Sequence, residues 1–166
     1  MENITIDSIY QKIAELIHDN IPVEWEKIRM YTEVVKHEAE IIFYFRKKGD
    51  KEFIYGHNIP KLFNISRSIY MDFLVELTRL FRQLKTFYEK NNYGSWTNLT
   101  LEMEHSGKFS IEYGYEDIFS LGIDGDQRIA VWEYETFGFL PEDEEDKEAV
   151  LNYLKNKEEN SKLPSK

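Results

Sequence analysis

The feature that most constrains the fold is a long, uninterrupted helical pattern in the middle of the chain. Apolar residues recur there at three- and four-residue spacing, which is the period of one helix face. These residues are Ile69, Phe73, Leu74, Leu77, Leu80, Phe81, Leu84 and Phe87. With Ser66 as the N-cap, a helix over residues 66–90 would extend for about 37 Å at 1.5 Å per residue. Such a helix is long enough to cross a whole small sheet.

Runs of β-branched and aromatic residues lie on both sides of this helix and predict β-strands. The predicted strands are residues 28–35, 40–45 and 52–55 before the helix, and residues 97–104, 109–115 and 127–137 after it. Helical spacing predicts a first helix over residues 6–17 with Thr5 as N-cap, and a last helix from residue 141 or 143 to 155. Strands in two runs, rather than in alternation with helices, predict an α+β fold. We expect an antiparallel sheet packed against the long central helix, with N- and C-terminal helices.

The length and composition favour one domain in the cytoplasm. A chain of 166 residues with 42% hydrophobic residues suffices for one ordinary core, so we expect a single domain over residues 1–157 and a disordered segment over 158–166. The first residues lack the pattern of a signal peptide, and no run of 18 apolar residues occurs, so we expect no membrane association. The absence of cysteine excludes disulfides, thiolate catalysis and cysteine-based zinc sites.

The negative charge is concentrated in one part of the chain. The formal net charge is −10, and residues 110–148 contain 13 acidic residues against two basic ones. Residue alternation places Glu112 and Glu116 on the solvent face of one predicted strand, and Glu133 and Glu135 on one face of another. If these strands pair, four carboxylates crowd one sheet face, and facing like charges are destabilising. Binding of a basic partner would account for such a surface.

The acidic run at residues 142–148 also has a local explanation. Acidic residues in the first turn interact favourably with the positive end of the helix dipole, and Asp143 and Asp146 suit the free N–H groups there. This explanation does not cover the acidic residues before residue 142. We therefore predict a partner-binding surface of two ranks. The first rank is Glu112, Glu116, Asp117, Glu133 and Glu135, and the second is Asp124, Asp126, Asp143 and Glu145.

No motif supports catalysis, a metal site or a cofactor. Asp124 could open a calcium-binding loop, but Arg128 and Ile129 occupy the positions that need an oxygen ligand and the turn glycine, so a turn before the last strand is favoured. The four histidines fall in separate predicted elements or turns, and solvated turn histidines are the favoured interpretation, although His57 and His105 could still meet in space. The glycines form no phosphate-binding or nucleophile motif. We expect no enzyme activity.

Several stretches together resemble a known family. They are IPVEWEKI at residues 21–28, NIPKLFNIS at 58–66, Trp96, and FGFLPE at 137–142. Over nearly all of residues 4–155 the chain resembles the YezG-type family of bacterial immunity proteins. The resemblance implies a cytoplasmic antitoxin that binds an LXG-type toxin exported by a type VII secretion system, commonly through the toxin's C-terminal nuclease domain. It implies stoichiometric inhibition, no direct binding to nucleic acid, and no specific interface residues.

Two other interpretations of the sequence stay open. One is a small hydrolase that uses carboxylates with His57 or His105, and the other is an acidic chaperone or adaptor for a basic secreted protein. Bound metal or a pocket that joins these histidines to acidic residues would favour the hydrolase. The sequence sets neither the oligomeric state nor the identity of the toxin.

Overall fold

The long central helix predicted from the sequence is confirmed. It is α3, Arg67–Lys90, and the Ser66 hydroxyl accepts a hydrogen bond from the Ile69 backbone N–H at its start. The structure is a computed structural model that describes residues 4–162. The chain divides into two compact units, Met1–Glu116 and Asp117–Lys166.

The first unit contains the β-sheet and three helices. Its elements in chain order are α1 (Ile6–Asn20), β1 (Trp25–Val34), β2 (Ala39–Lys47), β3 (Phe53–Tyr55), α2 (Ile59–Phe63), α3, β4 (Asn98–Glu104) and β5 (Phe109–Gly114). The sheet is antiparallel throughout, with the strand order β3-β2-β1-β4-β5. The predicted α+β class, with strands in two runs around a long helix, is confirmed.

The core of the first unit lies between one face of the sheet and the helices α1 and α3. Alternate strand residues face it, because successive side chains of a strand point to opposite sides. Ile28 of β1, for example, is opposite Phe45 of β2 and Met103 of β4, and all three are buried. The helices contribute their apolar faces. Those residues are Ile9, Ile13 and Ile17 of α1, and Tyr70, Phe73, Leu77, Leu80, Phe81 and Leu84 of α3.

Charged residues next to one another on the strands of this unit form ion pairs. In the register of β1 and β4, Lys27 is opposite Glu104 and Arg29 is opposite Glu102. The pairs recorded there are Lys27 with Glu104, Arg29 with Glu102, and Arg46 with Glu26. The sheet of the first unit therefore neutralises much of its own charge.

The second unit is helical, and the strand predicted over residues 127–137 is wrong. Its main elements are α4 (Gly125–Phe137) and α5 (Glu144–Ser161), preceded by a 3-10 turn over Ile118–Ser120. Within this unit, Ala130 and Val131 of α4 pack with the fully buried Val150 of α5. The sheet described within residues 4–162 therefore has five strands, where the sequence predicted six.

Signals at both ends of α4 explain why residues 127–137 are helical. The Asp124 carboxylate accepts a hydrogen bond from the Gln127 backbone N–H at 2.9 Å, and the Gln127 side chain accepts one from the Asp124 N–H at 3.1 Å. This reciprocal capping box starts the helix. Gly138 follows the last residue with φ of 81°, a left-handed conformation that ends helices. The predicted Asp-Gly turn before a strand is thus a helix N-cap.

The expected disordered segment lies at the end of the second unit. Helix α5 continues through Ser161, and residues 163–166 of the expected segment lie outside the described residues. None of the helices within residues 4–162 combines the length and the apolar character that a membrane span requires.

Candidate functional site

The predicted binding residues of the first unit lie on and after the edge strand β5. Glu112 is exposed and is opposite Thr100 of β4, and the neighbouring Ile111 and Tyr113 pack against the core. Glu116 is exposed after the strand, where its carbonyl oxygen accepts a hydrogen bond of 2.7 Å from the Thr97 hydroxyl. Both carboxylates are thus in contact with solvent, as the alternation indicates.

The predicted sheet face with four carboxylates does not exist. Glu133 and Glu135 lie on α4 and not on a strand, so they cannot be cross-strand neighbours of Glu112. On the adjacent strand β4, Glu102 lies two residues from Thr100 and therefore on the same face as the partner of Glu112, and it is bound to Arg29. Like-charge crowding on the sheet is therefore not an argument for binding at Glu112 and Glu116.

The second unit brings a different set of carboxylates together, at the beginnings of its two helices. Gln127, in the first turn of α4, donates a hydrogen bond of 3.0 Å to Asp146 in the first turn of α5. Near the other end of α4, Glu135 forms an ion pair of 3.6 Å with Lys157 of α5. The start of one helix thus contacts the start of the other, so the two helices run in the same direction with their N-termini side by side.

We call the acidic residues at these two N-termini the helix-start cluster. Its members are Asp124, Asp126, Asp143, Glu144, Glu145 and Asp146. Four of them, Asp124, Asp126, Asp143 and Glu145, were predicted as binding residues from the sequence. Glu144 and Asp146 were not among the residues predicted to bind, although they belong to the same acidic run.

Three members of the cluster have a structural role within the helices. Asp124 caps α4, and the Asp143 carboxylate caps α5 by accepting a hydrogen bond of 3.0 Å from the Asp146 backbone N–H. Asp146 in turn accepts the hydrogen bond from Gln127. These contacts confirm the predicted capping role of Asp143. They also stabilise the two helix starts, because unpaired N–H groups there receive an acceptor.

The other three members, Asp126, Glu144 and Glu145, are exposed, and their side chains form no ion pair within residues 4–162. The helix dipoles favour carboxylates at these N-termini, so the fold tolerates the concentrated charge. The arrangement leaves several negative charges available to attract a cationic surface over a distance of about one Debye length, or 8 Å at physiological salt.

The remaining predicted residues are less available to a partner. Glu135 is paired with Lys157, and Glu133 is half-buried. Asp117 is exposed, and its carboxylate accepts a hydrogen bond of 3.1 Å from the Phe119 backbone N–H, which caps the 3-10 turn.

Two histidines considered for catalysis are not brought together. The His57 ring is half-buried, where Nδ1 is hydrogen-bonded to the Tyr70 hydroxyl and Nε2 to the Ile41 carbonyl oxygen at 2.8 Å. Because the carbonyl can only accept, Nε2 carries a proton and donates it to this bond. Burial raises the pKa of Tyr70 well above its usual value. His105 instead lies in the exposed β4–β5 turn, near Trp25.

Neither His57 nor His105 belongs to a candidate metal site among the described residues. Within residues 4–162, no group of three or more histidine, aspartate or glutamate side chains is placed to hold a metal ion. The hydrogen bond between His57 and Tyr70 links the segment after β3 to α3. Both nitrogens of the His57 ring and the Tyr70 hydroxyl therefore have hydrogen-bond partners. The expectation that His57 is a solvated turn residue is therefore wrong, because its ring is packed among Phe43, Tyr55 and Tyr70.

Known proteins resemble the chain over most of its length. A family model described as immunity protein YezG-like matches residues 6–151. The immunity protein YezG of Bacillus subtilis is 44% identical over 149 residues, which cover 90% of this chain and 99% of that protein. YezG of Bacillus spizizenii is 42% identical over 158 residues, covering 95% and 98%. The type VII secretion system protein EsaG of Staphylococcus aureus is 30% identical over 157 residues, covering 93% and 96%.

Proposed function

Because the chain belongs to the YezG-like family of immunity proteins, we propose that it neutralises one cognate toxin by stoichiometric binding. The family gives the general role of an antitoxin, and its relatives are named for immunity rather than for a catalysed reaction. The proposed target is the basic C-terminal nuclease domain of an LXG-type toxin. The relative named for type VII secretion supports a toxin exported by that route. In this proposal the two proteins meet in the cytoplasm.

The observation that carries the mechanism is the exposed charge of the helix-start cluster. Asp126, Glu144 and Glu145 extend from two adjoining helix N-termini and are not neutralised by an ion pair within the described part of the chain. A nuclease must present cations to the phosphates of DNA. Carboxylates held on a folded surface compete for these cations and accelerate the encounter of the two proteins.

Inhibition then follows from occupation of the surface that DNA would use. One immunity protein covers one nuclease domain, and it needs no bond cleavage and no cofactor. In this proposal the helix-start cluster is the principal source of electrostatic attraction, with Glu112, Glu116 and Asp117 as additional acidic contacts. Glu133 and Glu135 rank last, because one is half-buried and the other is paired with Lys157.

The test is a DNA-cleavage assay of the C-terminal domain of the toxin encoded beside this protein. The wild type is expected to abolish cleavage at a molar ratio near one. A variant with Asp126→Asn, Glu144→Gln and Glu145→Gln keeps both N-caps and removes three charges. We expect this variant to bind the toxin domain at least about tenfold more weakly than the wild type, mainly because its association rate is slower.

A matched variant controls for net charge. The substitutions Glu38→Gln, Glu52→Gln and Asp72→Asn also remove three exposed acidic residues, all of them in the first unit. This control is expected to inhibit like the wild type. Equal inhibition by all three proteins would reject the helix-start cluster and keep the immunity role. Failure of the wild type to inhibit at any ratio would reject the proposed target.

A further inference from the structure

A cleft in the first unit shares no residue with the helix-start cluster and has the form of a side-chain pocket. We call it the α1–hairpin cleft, because α1 forms one wall and the β4–β5 hairpin forms the other. Its volume is about 270 Å³. The lining residues used below are Ala14, Glu15, Trp25, Met103, Glu104 and Phe109. All of them belong to the unit Met1–Glu116.

The floor of the cleft is apolar and aromatic. Trp25 and Met103 are buried, and Ala14 and Phe109 are half-buried beside them. The Trp25 ring lies edge-on between two imidazoles, with ring centroids 5.8 Å from His18 and 6.3 Å from His105. A flat or aliphatic group that enters the cleft therefore meets aromatic rings and displaces poorly bound water.

The hairpin wall is held in place by backbone hydrogen bonds. In the hairpin turn, the Glu104 N–H donates to the Lys108 carbonyl at 2.9 Å, and the Gly107 N–H donates to the Glu104 carbonyl at 2.9 Å. The His105 N–H donates to the Glu26 carbonyl at 2.9 Å, which fixes the turn to the start of β1. The cleft thus exists before any partner arrives, and a preformed pocket reduces the entropic cost of binding.

The rim carries a carboxylate on each wall. Glu15 on α1 is exposed, and the Gln11 side-chain amide donates a hydrogen bond of 2.9 Å to it. Glu104 on β4 forms a long ion pair with Lys27, with 3.9 Å between Lys27 Nζ and Glu104 Oε1. The exposed Lys108 also lines the rim and offsets one of the two charges. Both carboxylates keep acceptor capacity for a further donor.

We propose that the α1–hairpin cleft receives an arginine side chain of the partner protein. This deepens the proposed function and rests on it, because a DNA-binding nuclease domain is the source of the arginine. The planar guanidinium group would lie against the rings of Trp25 and Phe109, and its N–H donors would meet Glu15 and Glu104. Arginine suits this site because it combines a flat cation with an aliphatic stem and pairs well with carboxylates.

Two variants test the shape and the charge of the cleft separately. Ala14→Leu fills the cleft from a half-buried position on α1, and a pocket for an anchoring side chain predicts roughly thirtyfold weaker binding to the toxin domain. Glu15→Gln with Glu104→Gln keeps the shape and removes both carboxylates. We expect about tenfold weaker binding for that pair. Ser68→Leu adds the same apolar side chain at an exposed position of α3 and is expected to bind like the wild type.

A spectroscopic readout locates the contact. On addition of the toxin domain, the NMR signals of the His18 and His105 ring protons are expected to shift, and those of the exposed His37 in the β1–β2 turn are not. Each variant is first checked for an unchanged thermal unfolding curve. The conservative Glu15→Gln and Glu104→Gln pair keeps the test valid if Ala14→Leu unfolds.

The outcomes separate this proposal from the proposed function. Loss of binding in both cleft variants supports the arginine site. Loss in Ala14→Leu alone overturns it, because the occupant would then be apolar. Wild-type affinity in both variants also overturns it and leaves the immunity role intact. No binding by the wild type would instead contradict the proposed function itself.

Discussion

The two units of the chain differ in how their acidic residues are arranged and paired. In the first unit, strand carboxylates face lysine or arginine across the sheet, as in the pairs of Arg29 with Glu102 and Lys27 with Glu104. In the second, acidic residues gather at two helix starts, and the ion pair between helices recorded there is the one of Glu135 with Lys157. The comparison teaches that strand carboxylates of the first unit neutralise cations beside them, whereas Asp126, Glu144 and Glu145 of the second lie exposed without such a pair among the described residues.

Their cores differ as well. The first unit has a continuous core in which the side chains of Phe43, Leu77 and Trp96 are fully buried. The second unit has a small internal cluster of Ala130, Val131 and Val150. Burial of apolar side chains therefore stabilises the first unit more than the second, since the stabilisation grows with the apolar area removed from water.

The largest expected effect follows from the core of the first unit. Leu77→Ala should lower the free energy of unfolding by about 3 kcal/mol, because it leaves a cavity beneath α3. Val150→Ala in the second unit removes two methyl groups and should cost about 1–2 kcal/mol. Urea unfolding curves of both variants measure the difference. A larger loss for Val150→Ala would contradict the comparison of the two cores.

The second-largest effect is expected at alkaline pH, which should lower the folding stability of the first unit. Burial raises the pKa of Tyr10 to about 12, and that of Tyr70 well above its ordinary value of 10.0. The unfolded chain then loses these protons first, so stability is complete below pH 10 and falls as the pH rises toward 12. By pH 11 each tyrosine that stays protonated in the fold accounts for at most about 1.4 kcal/mol.

Tyrosine variants check the alkaline prediction. In unfolding measurements between pH 8 and 11, Tyr70→Phe should show a smaller fall in stability than the wild type, because one protected hydroxyl is gone. Met71→Leu changes an exposed side chain that has no ionisable group and should leave the fall unchanged. A wild-type stability that stays constant up to pH 11 would refute the prediction.

A smaller effect is expected at the cap of α4. Asp124→Ala removes the acceptor for the Gln127 N–H and half of the capping box, and should cost about 1 kcal/mol. Asp126→Asn, two residues further on, keeps the cap and should change stability by less than about 0.5 kcal/mol. Thermal unfolding followed by circular dichroism compares them. An equal loss in the two variants would show that charge, rather than capping, stabilises this helix start.

The smallest effect concerns the ion pair of Glu135 with Lys157. Both side chains are about half exposed, and solvent screens their attraction. Glu135→Gln should therefore change the free energy of unfolding by about 0.3 kcal/mol, and high salt should hide even this change. Urea unfolding at low and high salt measures it. A loss above about 1 kcal/mol would mean that the second unit depends on this paired charge.

The sequence predicted the elements whose local signals agree with their packing. Helix α3 follows from its apolar face and Ser66, and α1 from Thr5 and its isoleucines. It failed for α4, because Val131, Trp132 and Tyr134 favour strands when they are considered alone. The Asp124 and Gln127 capping box and Gly138 set the ends of that helix, and they outweigh the weak strand preference.

The candidate site was only partly accessible from the sequence. The density of acidic residues pointed to the stretch of chain that contains the helix-start cluster, and the capping role predicted for Asp143 is confirmed. The approach of the two helix starts depends on the contact of Gln127 with Asp146, which no periodic pattern encodes. The α1–hairpin cleft joins Ala14 to Phe109, and residues so distant in sequence become neighbours only through the order of the strands.

The division of labour within the helix-start cluster has a consequence for how such a protein can evolve. Asp124 and Asp143 are bound to backbone N–H groups, so exchange at these positions weakens a helix. Asp126, Glu144 and Glu145 lack such contacts and can be exchanged at little cost in stability. Substitutions at the second group alone can therefore change the surface charge as the toxin changes in evolution, while the capped helices keep their stability.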